Sequence, residues 1–147
     1  MPDTVEKLSK IPNIVAIKEA TGSTDRTEEI IAKCGKDFKV YSGDDAANLK
    51  LIQHGASGVI SVTANAVPRK MQTFCERALA GDFSQGSALH ESLMPLHKGL
   101  FLESNPIPIK WLMYKMGKIP PGIRLPLLCL DNKYHTEIDK ILSIIDE

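Results

Sequence analysis

Three short runs of apolar, mostly β-branched residues punctuate the first part of the chain and predict strands at 14–17, 38–41 and 58–62. Each run is followed by small or polar residues, in the segments EATGS, SGDDA and TANA. Between the runs, apolar residues recur at helical spacing over 24–34 and 46–54. This alternation predicts parallel βαβ units whose strands are buried on both faces.

Capping residues precede the two predicted helices. Ser23 or Thr24 comes before the first and Asp44 before the second, and side-chain oxygens of these types accept hydrogen bonds from the free N–H groups of a first turn. A short amphipathic segment, 4–10, precedes the first strand and looks like the end of an earlier strand–helix unit. The pattern therefore predicts an α/β chain that corresponds to the second half of a larger fold.

After residue 65 the pattern is helical only. One apolar stripe recurs at steps of three and four and consists of Val67, Met71, Phe74, Cys75, Ala78 and Leu79. Further helices are predicted over about 84–102, from the NPIPIK segment at 105–110, where proline suits a first turn, and over 135–145. Segment 117–126 is predicted to be a loop.

Composition narrows the functional class. The chain has 147 residues, 43% hydrophobic and 24% charged, which is typical of a globular domain. Lys+Arg and Asp+Glu both number 18, so no basic field favours binding to nucleic acid or to a membrane. No apolar stretch approaches the ~20 residues of a membrane span, and the N-terminal segment lacks a signal-peptide core. Three widely spaced cysteines, Cys34, Cys75 and Cys129, are expected to be buried, reduced thiols, which predicts a cytoplasmic protein.

The candidate chemistry lies at the carboxyl ends of the predicted strands, where parallel α/β folds bind ligands. Lys18, Gly43 and Ile60 lie at or near those ends. An ammonium in apolar surroundings is discharged more easily, and a neutral amine attacks a ketone to give a Schiff base. Gly43 would leave room for a small substrate to approach the backbone, and the carbonyl of Ile60 could accept a hydrogen bond from substrate or imine.

Each candidate also has a simpler interpretation. A lysine at a strand end is commonly a solvated surface residue. Asp44 and Asp45 are interpreted as a helix cap and a surface acid. Ser61 and Thr63 have no histidine in a recognisable triad relation. The histidines are predicted to be surface or satisfied packing residues without metal-ligand spacing, and they are His54, His90, His97 and His135. Trp111 and Tyr114 are expected to be core or interface aromatics.

Four motifs of the sequence resemble those of a known enzyme family. NIVAIKEATGS, YSGDDA, GASGVISVTANAVP and LMPLHKGLFLESNPIPIKW, in this order, resemble the dihydrodipicolinate synthase family of pyruvate-dependent Schiff-base lyases. That resemblance implies a TIM barrel followed by a helical region. Residues 1–66 would hold strands six to eight, and 67–147 the last barrel helix and the helical region. It also implies that Lys18 is the Schiff-base lysine, that Gly43 ends the seventh strand, and that Ile60 offers its backbone carbonyl.

The resemblance further implies a reaction and its partners. Pyruvate would condense with L-aspartate semialdehyde to 4-hydroxy-tetrahydrodipicolinate, in lysine and diaminopimelate biosynthesis, without a cofactor or a metal. The expected partners are further copies of the chain, since the family is usually tetrameric, or a complementary N-terminal half. A full barrel needs roughly 250 residues. The family's paired threonines, relay tyrosines and substrate-binding arginine precede strand six, so little turnover is expected from the chain alone.

Two other functions remain open at the level of sequence. The chain could belong to another pyruvate- or keto-acid aldolase of the same superfamily. It could also be a non-catalytic half-barrel that acts only as an oligomer or as a partner subunit, because three strands leave two open edges. The combination of SGDD with NPIPIKW resembles the synthase more than sialic acid lyase.

Overall fold

The computed structural model describes residues 1–145 and is an α/β structure. Two compact units divide the chain: Met1–Ser61 with Thr73–His90, and Val62–Gln72 with Glu91 onward. The helices, in chain order, are α1 (Pro2–Ser9), α2 (Thr24–Cys34), α3 (Asn48–Gln53), α4 (Pro68–Leu79), α5 (Phe83–Gly99), α6 (Ile107–Lys115) and α7 (His135–Ile145). The strands are β1 (Ala16–Glu19), β2 (Lys39–Ser42) and β3 (Gly58–Val59). Within 1–145, no helix is both long and apolar enough to cross a membrane.

The strands pair in parallel in the order β1–β2–β3, which confirms the predicted parallel βαβ arrangement. The expectation that the strands are buried on both faces is wrong for β1, because Lys18 is exposed on one of them. β1 begins and ends two residues later than the predicted 14–17, so Lys18 lies inside the strand. The carbonyl of its last residue, Glu19, accepts a hydrogen bond of 2.7 Å from the Gly43 N–H. β3 is shorter than the predicted 58–62. Its ladder continues only to the Ile60 N–H, which donates to the Ser42 carbonyl at 2.7 Å, and a 3₁₀ turn follows at Thr63–Asn65.

The predicted helix caps are both present. Ser23 Oγ accepts a hydrogen bond of 3.2 Å from the Arg26 N–H and so begins α2. Asp44 Oδ1 accepts one of 3.1 Å from the Ala46 N–H, but here the first turn is a 3₁₀ helix, Asp45–Ala47, before α3. The single helix predicted over 46–54 therefore divides into two short elements.

The interpretation of Asp45 as a surface acid is wrong. Asp45 is only 1% exposed, and its carboxylate accepts a hydrogen bond of 3.0 Å from the buried Asn48 side-chain amide. A buried carboxylate requires such hydrogen bonds because its desolvation is otherwise costly. The sequence pattern did not reveal this, because the pattern was interpreted as one helix, whereas Asp45 and Asn48 lie three positions apart across the change from 3₁₀ to α helix.

An apolar core covers one face of the sheet in the first unit. Val5 of α1, Ile30 of α2 and Val40 of β2 are buried together with Phe38, and Ile17 of β1 packs against them. Each fully buried aliphatic side chain contributes roughly 1.5–3 kcal/mol of transfer free energy. This core fixes the side of the sheet on which the helices lie, and it leaves the other side for different residues.

The turn that follows β1 is held by Glu19. Its side chain is 3% exposed, and its carboxylate accepts a hydrogen bond of 2.7 Å from the Thr21 N–H and another from Arg26 Nε. Burial by itself would raise the pKa of Glu19, but the hydrogen bonds from Thr21 and Arg26 and the charge of Arg26 outweigh burial and hold that pKa below its usual value. Glu19 is therefore an anion that joins the end of β1 to the first turn of α2.

The second unit consists of helices around their own core. Leu112 of α6 and Ile138 of α7 are fully buried there. The Trp111 and His135 rings stack with their centroids 4.1 Å apart, and Tyr114 tilts against Trp111 at 5.4 Å, so both aromatics have packing roles. The predicted bounds of α7 are confirmed, and α5 ends three residues earlier than predicted. The division at residue 66 remains a prediction about the family fold.

The cysteines are free thiols, as expected, but the expectation that they are buried is wrong for all three. Cys34 and Cys75 are half-buried, whereas Cys129 is exposed. Burial raises the pKa of the Cys75 thiol, and the negative charges of Asp45 and Glu76 raise it further. Cys75 is consequently a packing residue with little thiolate character.

Two glycines of α5 have different surroundings. At Gly99, an added Cβ would overlap Ile141 Cδ1, so α7 approaches the backbone of α5 where a side chain has no room. At Gly86, an added Cβ would lie 3.6 Å from Ala78, an ordinary van der Waals distance. A side chain at Gly99 would force the Ile141 side chain to move, whereas one at Gly86 would displace no neighbour.

We expect Gly99→Ala to lower the free energy of unfolding by about 1–3 kcal/mol, as overpacking does. Gly86→Ala is the matched control in the same helix, and it should raise stability by about 0.5–1 kcal/mol because alanine favours the helix. Urea denaturation followed by circular dichroism measures both. Gly99→Ala combined with Ile141→Val should recover part of the loss, and full additivity of the two changes would contradict the proposed overlap.

The ionised state of Glu19 predicts a pH dependence of stability. Since its folded-state pKa lies below the value of 4.5 for an unperturbed glutamate, its contribution is complete above that value and is lost as the pH falls through the folded pKa. Glu19→Gln should therefore destabilise the protein by about 1–3 kcal/mol near neutral pH, and the difference from wild type should shrink in acid.

Urea titrations at about pH 7 and about pH 3 test this dependence, with Glu29→Gln as the control. Glu29 lies on the exposed side of α2, 3.7 Å from Lys33 Nζ. An equal loss of stability for Glu19→Gln at both pH values would show that charge at this site does not stabilise the fold.

Candidate active site

Side-chain alternation places the candidate residues on the face opposite the helix-covered core. Successive strand residues point to opposite faces, and Ile17 and Val40 face the core. The register pairs Lys18 with Tyr41 and Tyr41 with Gly58. Lys18, Tyr41 and Gly58 therefore lie on the other face. Gly43 is two residues after Tyr41 and Ile60 is two residues after Gly58, so both share this face with Lys18, and the three predicted site positions lie on one side of the sheet.

Lys18 extends along this face towards the carboxyl end of β2. A Cβ added at Gly43 would lie 2.5 Å from Lys18 Cε, 3.0 Å from Lys18 Cγ and 2.9 Å from the Cβ of Ala20. The lysine stem thus lies directly on the Gly43 backbone, in space that any other residue would fill. A side chain at position 43 would therefore have to displace the Lys18 stem. The backbone conformation does not itself demand glycine here, since Gly43 is not among the glycines with positive φ.

This geometry changes the interpretation of Gly43. The sequence suggested that Gly43 leaves room for substrate, but in the structure that room is occupied by the methylene groups of Lys18. The glycine determines where the amine is held. Approach of a substrate to the Gly43 backbone stays a prediction.

The apolar surroundings expected for Lys18 are not formed by the described residues. Lys18 is exposed, because β1 is an edge strand of the described sheet and its neighbours on this face, Gly43 and Ala20, are small. The amine is accessible to solvent and to small electrophiles. Its local geometry is nevertheless defined, through the contact of its stem with Gly43.

Ile60 lies on the far side of the site. It follows β3, two strand spacings from β1, which is a distance of roughly 10 Å. Its N–H is used in the bond to the Ser42 carbonyl, and its side chain is 48% exposed on the Lys18 face. The role of the Ile60 carbonyl as an acceptor stays a prediction.

Tyr41 and Gly58 were missed by the sequence reasoning. Tyr41 is the direct cross-strand neighbour of Lys18, and its ring lies over Gly58, where an added Cβ would be 3.2 Å from both Cδ1 and Cε1. Tyr41 was treated only as part of an apolar strand. Its position two residues before Gly43 was the available signal, because residues i and i+2 share a face.

Gly22 and Asp44 join the first two strand ends. Gly22 has φ 70°, which suits glycine, and a Cβ there would lie 2.6 Å from Asp44 Oδ2. The Asp44 carboxylate, which also caps the following 3₁₀ helix, therefore lies against the turn after β1. Together with Glu19, it fixes the loop beside Lys18.

Thr63 has a histidine partner that its position in the sequence did not reveal. In the second unit, Thr63 Oγ1 and His97 Nδ1 are hydrogen bonded at 2.8 Å and both residues are buried, in agreement with the packing role predicted for His97. His90 is also buried, in the first unit, and donates from Nε2 to the Ala46 carbonyl at 3.1 Å. Within 1–145, no three His, Cys, Asp or Glu side chains are grouped so that they could hold a metal ion.

The chain is similar to a known protein family and to individual proteins of that family. The model of the dihydrodipicolinate synthetase family matches residues 1–145. A 4-hydroxy-tetrahydrodipicolinate synthase of Pseudomonas aeruginosa is 56% identical over 135 residues, which are 92% of this chain and 46% of that relative. Another, of Alcanivorax borkumensis, is 56% identical over 128 residues, which are 87% of this chain and 44% of the relative. The chain spans about half the length of the curated relatives it matches.

Solved structures give the same result. The chloride-inhibited dihydrodipicolinate synthase from Acinetobacter baumannii, complexed with pyruvate, is 43% identical and superposes with a TM-score of 0.94, over 99% of this chain and 50% of that one. The enzyme from Aquifex aeolicus is 39% identical, with a TM-score of 0.95 and the same coverage. The described strands and their helices accordingly form part of a TIM (β/α)₈ barrel. The family match over residues 1–145 and the close relatives establish that the chain belongs to the dihydrodipicolinate synthetase family.

Proposed function

We propose that this chain carries the Schiff-base lysine of a pyruvate-dependent lyase, of the 4-hydroxy-tetrahydrodipicolinate synthase type. The observation that carries the proposal is the position of Lys18 at the carboxyl end of β1, with its stem on the Gly43 backbone. In parallel α/β folds this end of the strands is where substrates react. Membership of the family supplies the class of reaction.

The proposed chemistry begins with the Lys18 amine. Its nitrogen attacks the keto carbon of pyruvate, and loss of water leaves an imine. Loss of a proton from the pyruvate methyl group gives an enamine, whose carbon attacks the aldehyde of L-aspartate semialdehyde. The amino group of that substrate then attacks the imine carbon and displaces Lys18. One water is released overall, and the product is 4-hydroxy-tetrahydrodipicolinate.

Pyruvate is supported as a ligand by the Acinetobacter baumannii relative, which was solved as a complex with pyruvate. The Ile60 carbonyl is proposed to accept a hydrogen bond from the imine or the substrate. No cofactor is required in this scheme, because the imine itself withdraws electrons from the adjacent carbon. The reaction would be a step of lysine and diaminopimelate biosynthesis, and it would take place in the cytoplasm.

The described residues around Lys18 supply few acid–base groups for the proton transfers of this reaction. Positioned acid–base groups contribute typically 10²–10⁴-fold to such reactions. We therefore propose that full turnover depends on a partner, either further copies of this chain or a chain that supplies the rest of the barrel. The exposure of Lys18 on an edge strand supports this dependence, since the surroundings that would enclose the amine are not made by the described residues.

Trapping with borohydride tests the role of Lys18. With pyruvate and borohydride, the chain should gain the mass of one reduced pyruvyl group, and peptide mapping should place it on Lys18. Lys18→Met should abolish the adduct, whereas Lys50→Met, a change at an exposed lysine of α3, should not. An adduct on another lysine, or an undiminished adduct in Lys18→Met, would contradict the proposal.

The same experiment is repeated with the portion of the Pseudomonas aeruginosa relative that this chain does not match. Addition of that portion should increase adduct formation and permit turnover of L-aspartate semialdehyde. Turnover of keto-sugar acids or of sialic acid in its place would indicate another aldolase of the superfamily. An oligomer without any adduct, alone or with the added portion, would indicate a non-catalytic subunit.

Gly43→Ala tests how the amine is held. The added methyl group would displace the Lys18 stem, and a misplacement of about 1 Å can slow a reaction on the order of 10²-fold. We expect the rate of adduct formation to fall by about 10–100-fold while the circular dichroism spectrum stays unchanged. Gly86→Ala is the control. Equal trapping rates for Gly43→Ala and wild type would show that the Lys18–Gly43 contact does not matter for the reaction.

A further inference from the structure

Glu19 has an environment that the proposed chemistry does not explain. It directly follows Lys18, and alternation places its side chain on the opposite, helix-covered face of β1. The side chain is nevertheless ionised and 3% exposed. Acidic residues are seldom buried unless they are paired, and an apolar residue is the simpler choice for such a position.

The carboxylate of Glu19 binds two parts of the following segment. Oε1 accepts from the Thr21 N–H at 2.7 Å, and Oε2 accepts from Arg26 Nε in α2. Thr21 Oγ1 in turn accepts from the Ser23 N–H at 3.3 Å, and Ser23 caps α2. The turn after Lys18 is thus connected to the beginning of α2 by consecutive hydrogen bonds that include the carboxylate.

The backbone of Glu19 binds the other side of the site. Its carbonyl accepts from the Gly43 N–H at 2.7 Å, and Gly43 is the residue on which the Lys18 stem lies. Glu19 therefore connects the end of β1, directly after Lys18, with Gly43 and with the first turn of α2. A shift of the β1 end would move Lys18 relative to Gly43.

We propose that Glu19 is a positioning residue for the lysine chemistry, which acts by holding the end of β1 so that the Lys18 amine keeps its place above Gly43. This inference rests on the proposed role of Lys18. A buried ion pair is by itself weak evidence for stability, since apolar residues of similar size often serve as well. An apolar residue, however, could not accept hydrogen bonds from the Thr21 N–H and from Arg26. Reactive side chains keep their productive geometry only when neighbouring residues are held by such hydrogen bonds.

The test compares Glu19→Gln, Glu19→Asp and Glu29→Gln by borohydride trapping over a range of pyruvate concentrations. The trapping rate at saturating pyruvate is divided by the fraction of folded chain, which circular dichroism measures in the same samples. Glu19→Gln should lower this rate per folded chain by about tenfold or more, because the amine is misplaced. Glu19→Asp, which keeps the charge on a shorter side chain, should recover part of the rate, and Glu29→Gln should match wild type.

A purely structural role gives a different result. It would lower the folded fraction and the final amount of adduct, but the rate per folded chain would equal that of wild type, and this outcome would overturn the proposal. If the wild-type chain forms no pyruvate adduct, the proposed function fails for the isolated chain, and positioning is then measured by acetylation of Lys18 with acetic anhydride. The ratio of Lys18 to Lys50 acetylation should change in Glu19→Gln and not in Glu29→Gln. An unchanged ratio would refute the positioning role independently of pyruvate.

Discussion

The parallel pairing of β1 with β2 determines which chemical groups meet in this protein. With Lys18 opposite Tyr41, the carbonyl of Glu19 receives the Gly43 N–H, and the lysine stem lies on the Gly43 backbone. A slip of one residue would turn Lys18 towards the core made by Ile30 and Val40. The register is maintained from one side by that apolar core and from the other by the bonds of Glu19. Packing and site geometry therefore depend on the same few residues.

Much of the fold could be predicted from the sequence, because its signals are local. β-branched runs, helical periodicity and capping side chains gave the strands, the bounds of α2 and α7, and the caps by Ser23 and Asp44. The family resemblance identified Lys18 as the candidate nucleophile. The predictions of strands, helices and caps required only residues close to one another along the chain, whereas the resemblance required four motifs spread over residues 13–111.

The remaining features depend on residues that are distant in sequence. The His97 side chain is hydrogen bonded to Thr63, which lies 34 positions earlier in the sequence, and no spacing rule connects the two residues. Asp45 was interpreted as a surface acid, yet the rest of the first unit buries it, although its hydrogen-bond partner Asn48 is only three positions away. Tyr41 could be assigned to the Lys18 face only after the register was known. The exposure of Lys18 likewise follows from strand order, which local pattern does not encode.

The shortness of the outer strands has a consequence for assembly. Among the described residues, β1 has four residues and β3 has two, so the free edges offer few backbone groups to an added strand. Short edges are one way in which proteins avoid indiscriminate pairing and aggregation. A chain that joins this sheet would gain little from main-chain hydrogen bonds alone. Its binding would depend on how well its side chains fit the face of the sheet that carries Lys18. Binding of a chain that fits this face would at the same time enclose the Lys18 amine.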